Sequence, residues 1–160
     1  MKIINKCLTK DQFEQYIKDK KVDREIDKIV LHHTYDTLKE WEQGKISPDY
    51  YKKFYEEKGW EVGPHLFVAP EGIWLFTDIS MTGRHANEGN SNSIGIEMVG
   101  RYNDESPSGK IWKNTKAILK NLLKKFDLSL QDVHFHREYN SGKDCPGKAV
   151  TRKWLKKELS

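Results

Sequence analysis

Three stretches of the chain carry side chains able to hold a metal ion: His32-His33, the pair His134 and His136, and Cys145 just before Pro146-Gly147. Zinc favours imidazole nitrogen and thiolate sulfur, and a catalytic zinc keeps three protein ligands and one open position for water. The chemistry of such a centre is hydrolysis, because the ion acidifies a water and polarises a carbonyl. Two histidines and a cysteine alone are weak evidence, since an isolated histidine is more often a surface or core residue. Their meaning depends on whether the elements that carry them converge.

The segment IDKIVLHH (26–33) is an apolar run ending in the histidine pair and reads as a buried central strand. VHFH (133–136) is short and β-like. A histidine near one strand end, a second on another strand and a cysteine beyond it could meet at one sheet edge. Thr9 caps a short helix carrying Phe13, Tyr16 and Ile17. Ser47-Pro48 opens a second helix, whose Tyr50, Tyr51, Phe54 and Tyr55 form an aromatic face that ends at Gly59. HLFVA (65–69) and IWLFT (73–77) flank Pro70-Glu71-Gly72, a hairpin signal. SIGIEMVG (93–100) is another strand, with Gly95 allowing close approach. Ile118, Leu119, Leu122, Leu123 and Phe126 follow helical spacing, and a last helix runs from Val150 to Leu159. Strands and helices mix without strict alternation, so the expected fold class is α/β, a mixed central β-sheet flanked by helices. One domain spanning 1–160 is expected, with 1–25 as a helical extension packed on it.

Bulk properties narrow the function classes. A chain of 160 residues with five Trp, seven Tyr and six Phe can bury a core without disulfides. The net charge of +4 is modest and its lysines are spread along the chain, which suits solvated faces or a mild attraction to a polyanion. No aromatic-basic motif of a nucleic-acid module is present, so nucleic acid is not an expected partner. Two distant cysteines, Cys7 and Cys145, make no disulfide framework. The opening MKIINKCLTKDQF lacks the apolar core of a signal peptide, and no apolar run is long enough to span a bilayer. A protein made in the cytoplasm and not inserted in membranes is therefore expected, leaving by another route if it works outside. A monomer is expected.

Four words of sequence, in order, sharpen this: IVLHHT (29–34), GWEVGPHLFVAPEG (59–72), GRHANEGNSNSIGIEMVG (83–100) and HREYNSGKDCPG (136–147). Together they resemble the zinc amidases of the N-acetylmuramoyl-L-alanine amidase type 2 family, which includes phage amidases and peptidoglycan recognition proteins. The resemblance runs from about Ile26 to the C-terminal helix. It implies a Zn2+ ion on His32, His136 and Cys145, with His32 preferred to His33 and His136 to His134. It implies Glu97 as the base that orients and deprotonates water, and Lys143 as the cation facing the oxyanion. Many relatives carry a catalytic tyrosine where this chain has Pro64, which puts the dependence on Glu97. The interval from His136 to Cys145 is one residue longer than the common pattern, an insertion assigned to the Asn140-Ser141-Gly142 turn. His65 matches a strand histidine beneath the metal. Arg84, His85, Asn87 and Asn92 match a polar loop lining the substrate groove, and Thr34 is a further groove contact. Turn chemistry and core satisfaction are competing roles for these polar residues.

The implied activity is hydrolysis of the amide between the muramyl lactyl group and L-alanine of bacterial peptidoglycan. Two rivals come from other classes. A non-catalytic peptidoglycan-binding module would lack the cysteine and the base, and this chain has both. A structural zinc domain would need a fourth protein ligand, from His134 or His33, and no CxxC pair accompanies them. Within the enzyme class the expected setting is a phage endolysin that reaches the wall through a holin-made lesion. A cytoplasmic amidase of muropeptide recycling is the alternative.

Overall fold

The computed structural model describes all of residues 1–160. Six strands and five helices follow in the order β1 (Lys6–Leu8), α1 (Lys10–Asp19), β2 (Lys28–His33), α2 (Leu38–Glu42), α3 (Pro48–Glu57), β3 (Leu66–Ala69), β4 (Gly72–Leu75), β5 (Ser93–Met98), α4 (Gly109–Lys125), β6 (Val133–Phe135) and α5 (Arg152–Leu159). The strands form one sheet in the order β1-β4-β3-β5-β2-β6. The four strands β3, β5, β2 and β6 run parallel, while β4 and β1 close the other edge antiparallel. The expected mixed sheet flanked by helices is the observed fold.

Local chemistry explains the elements. Thr9 accepts from the Gln12 amide and Gln12 answers to the Thr9 amide, a reciprocal capping box that opens α1. Ser47 accepts from the Tyr50 amide, and Pro48 fills the first helical turn of α3, where no amide proton is needed. The run KIVLHH is buried almost throughout because β2 has a strand on each side and layers on both faces.

Alternation then sorts the two faces of the sheet. Ile94, Ile96 and Met98 of β5 are wholly buried on the face where the core gathers with α1 and α4. The other face carries Ser93, Gly95 and Glu97, and His32 lies in register with Glu97 on the adjacent strand. There α3 lies over the sheet, with Tyr51 stacked on Phe67 at 4.8 Å between ring centroids. A polar stripe thus runs through an otherwise apolar sandwich, and it ends where the parallel strands end.

Two elements differ from the sequence reading. Residues 1–25 are not only helical, because Lys6–Leu8 adds an edge strand to β4. A short helix, α2, follows Thr37, whose side chain and that of Glu40 cap each other.

Candidate metal centre

The carboxyl ends of parallel strands are where open α/β sheets place their ligands. His32 stands near the end of β2, Glu97 near the end of β5, and His136 begins the turn that leaves β6. The chain then loops out through an exposed turn at Ser141–Asp144 and returns to bury Cys145 beside the β2 end. The Arg137 amide donates to the Cys145 carbonyl, which pins the two ends of that loop together.

Three donor atoms converge. His32 Nδ1 is 3.1 Å from His136 Nδ1 and 3.7 Å from Cys145 Sγ, and all three lie within 4.8 Å of one another. Tetrahedral ligands bound at zinc distances stand roughly 3.3–3.6 Å apart, so the arrangement fits that ion. His33 points elsewhere: its Nδ1 accepts the Tyr102 amide, while its own amide donates to Cys145 Sγ at 3.3 Å. His134 is engaged with the Tyr139 hydroxyl at 2.7 Å.

The electrostatics also ask for a cation. Burial, reinforced by the facing rings of His85, His136 and His33, holds His32 well below the usual imidazole range. Burial, and then the Glu97 carboxylate, hold the Cys145 thiol well above its usual value. Burial pushes Glu97 up to about 8, and Asp36 adds to the rise. Glu97 Oε1 is 3.8 Å from His32 Nδ1, and Oε2 is buried with no hydrogen-bond partner. Without a positive ion every one of these groups is driven to its neutral form. A divalent cation would take the neutral imidazole nitrogens as ligands and favour the thiolate and carboxylate forms of Cys145 and Glu97.

The donors open on a cavity of about 450 Å³, whose wall includes Glu97, Lys143, Thr34 and the aromatic residues Tyr35, Tyr55 and Trp60. Lys143 sits on the exposed turn, and burial, with the Lys143 charge adding to it, lowers the pKa of His136. Thr34 accepts the Gly100 amide and donates to the Asp36 carbonyl, bridging the ends of β2 and β5. Arg84 stacks its guanidinium over Trp60 at 4.4 Å, at the outer end of the aromatic wall.

The remaining polar residues are placed differently from one another. His65 is wholly buried, its ring held by the Gly95 amide and the Met81 carbonyl, and it does not reach the cavity. Asn87 and Asn92 adopt left-handed backbone conformations, at φ 51° and 54°, and serve the loop rather than the cavity wall. His85 borders the cavity from below, with its Nδ1 2.9 Å from His32 Nε2. Pro64 is buried, and its carbonyl accepts the Thr77 amide. Sequence reasoning did not find the pair Tyr51 and Asp36, joined at 2.6 Å behind Glu97, nor Ser93 and Asn90 behind His85. Tyr51 was legible only as part of an aromatic helix face and Ser93 only as the start of a strand, because their partners meet them in three dimensions.

Comparison with known proteins places the fold and the family. The chain is 30% identical over 118 residues to the endolysin of Enterobacteria phage T3, covering 68% of this chain and 74% of that protein. The endolysin of Escherichia phage T7 matches to the same extent. Among solved structures, the N-acetylmuramoyl-L-alanine amidase LysC from Clostridium intestinale superposes with a TM-score of 0.73 at 22% identity, covering 85% of this chain and 86% of that one. The complex of peptidoglycan recognition proteins LCa and LCx with tracheal cytotoxin gives a TM-score of 0.69 at 20% identity, with 85% and 84% covered. Residues 22–148, which span both ends of the donor cluster, match the family described as N-acetylmuramoyl-L-alanine amidase, and the chain belongs to that family.

Proposed function

We propose that the chain hydrolyses the amide between the muramyl lactyl group and L-alanine of bacterial peptidoglycan, with Zn2+ held by His32, His136 and Cys145, and that it acts as a phage endolysin. The observation that carries this reading is the convergence of two imidazoles, one thiol and one buried carboxyl with an unpartnered oxygen on a single cavity. When bound, zinc supplies Lewis acidity toward the scissile carbonyl and a water acidified toward neutrality.

The chain's own residues do the rest. Glu97, poised high by burial, takes the proton of the attacking water. The Lys143 ammonium, projecting from its turn beside His136, balances the charge that develops on the carbonyl oxygen. The carbon–nitrogen bond then breaks, and the proton held by Glu97 passes to the departing amine. The products are a lactyl carboxylate and a free L-alanine terminus. The exposed rings of Tyr35 and Phe54 on the cavity wall offer apolar surface to a sugar or a peptide stem.

The endolysin setting rests on the two phage relatives. The test is digestion of purified sacculi, scored by newly released alanine amino termini alongside the zinc content of the protein. Cys145→Ala is expected to lose zinc. Glu97→Ala is expected to keep zinc and lose roughly 10²–10⁴-fold in turnover. Normal turnover in Glu97→Ala would remove it as the base. Faster cleavage of soluble muropeptides than of sacculi would replace the endolysin setting with a recycling amidase.

A further inference from the structure

His85 lies flat against the backbone of β5, and a chain of hydrogen bonds passes through its ring. Its Nδ1 is 2.9 Å from His32 Nε2, its Nε2 is 3.2 Å from Ser93 Oγ, and Ser93 Oγ is 3.1 Å from the Asn90 carbonyl oxygen. The far end of the chain sets its direction. A carbonyl only accepts, so the Ser93 hydroxyl donates to Asn90 and its oxygen is left to accept from His85 Nε2–H. His85 Nδ1 then has no proton, and His32 must donate Nε2–H to it. His32 Nδ1 is left as a bare lone pair, facing His136 and Cys145. The opposite direction would put a proton on that atom and leave the Asn90 carbonyl without its donor.

Two further features hold the ring in place. Asn90 Oδ1 accepts the amides of both His85 and Ala86 at 2.7 Å, which fixes the loop. A Cβ on Gly95 would stand 2.6 Å from the His85 ring, so the ring occupies the space that only a glycine leaves.

We infer that His85 is a positioning residue that selects the metal-ready tautomer of His32 and locks its ring, rather than a contact for the substrate. Donation of the second imidazole nitrogen to a fixed acceptor is how proteins set the tautomer of a metal-bound histidine. Here the acceptor is another histidine, itself set by a serine. The inference rests on the zinc reading above, but one of its tests does not need the metal.

The test compares His85→Phe, which keeps a flat ring on Gly95 without an acceptor, with His85→Asn, whose amide oxygen takes the place of Nδ1. Zinc affinity is measured by competition with a chromophoric chelator. Nitrogen-15 NMR of the metal-free protein reports which nitrogen of His32 carries the proton. The wild type is expected to show the Nε2–H tautomer at His32. His85→Phe is expected to bind zinc about 10–100-fold more weakly, with a mixed tautomer, and His85→Asn to recover most of both. Ser93→Ala, which leaves the ring in place, is expected to mix the tautomer as well, and it covers the case in which His85→Phe does not fold. Zinc affinity of His85→Phe within twofold of the wild type would overturn the inference, as would an Nδ1–H tautomer at His32 in the wild type. Should the wild type take up no zinc, the zinc reading falls, and the tautomer measurement alone decides whether His85 governs His32.

Discussion

Glu97 shows how one side chain can work against the fold that holds it. Its carboxyl is buried, has one unpartnered oxygen and titrates at about 8 instead of the usual 4.5. A carboxyl whose folded pKa is raised holds its proton longer in the folded state, so its contribution to stability is present at low pH and lost as pH rises from about 4.5 to about 8. His65, lowered to about 4 by burial, acts in the opposite sense between about 4 and 6.5. A comparison with Glu97→Gln isolates the carboxyl from the histidines. For metal-free protein, the stability of the wild type relative to Glu97→Gln should fall by a few kcal/mol across pH 4.5–8, on the order of one kcal/mol per pK unit. Urea unfolding at several pH values checks this, and a constant difference would contradict it. The donor residues and Glu97 were legible in the sequence because each stands inside a recognisable word. The engagement of His85 with His32, and of Tyr51 with Asp36, was not legible, because those partners meet only in three dimensions.

At the scale of elements, long periodic segments were legible and short edge pieces were not. β2, the β3–β4 hairpin, β5, α3 and α4 all carried apolar runs or helical spacing strong enough to read. β1 has three residues, one of them buried, and it exists because β4 needs an edge partner. α2 carried a legible signal, Thr37 followed by Glu40, that is characteristic of a helix start. The returning loop depends on Gly147, at φ 118°, where a Cβ would stand 2.2 Å from the Tyr102 carbonyl oxygen. Gly147→Ala should therefore cost about 3 kcal/mol or more, combining backbone strain with overpacking. Chemical denaturation measures the loss. A destabilisation below about 1 kcal/mol would show that the loop shifts to make room.

The whole molecule separates its charge in a way the sequence conceals. Lysines spread along the chain look like ordinary solvated faces, and the net charge is only +4. α4 carries six lysines and no acid, and α5 carries Arg152, Lys153, Lys156 and Lys157 with one Glu158. These two helices thus hold ten cations against one acid, and the rest of the chain has eighteen against twenty-three. They lie together because Trp112 packs on Trp154 at 4.4 Å and donates to Glu158 at 2.7 Å. Neither helix lines the cavity. Association with anionic sacculi should accordingly weaken as salt rises from 50 to 300 mM, about as a screened long-range attraction does, while turnover of a small soluble muropeptide stays level. Co-sedimentation and a soluble-substrate assay, run side by side, separate the two. An equal salt response in both would assign the effect to the cavity instead.

The stretch from His136 to Cys145 has a mechanical consequence of its own. Two of its residues would grip the same ion as His32 on β2, so an occupied centre would act as a cross-link closing a small ring of chain against the sheet. Occupancy and the shape of the cleft's rim are then one variable, and a chelator unfastens both. Trypsin offers a direct gauge: the peptide bond after exposed Lys143 should be cut readily once zinc has been stripped away, and should resist when the clasp is shut.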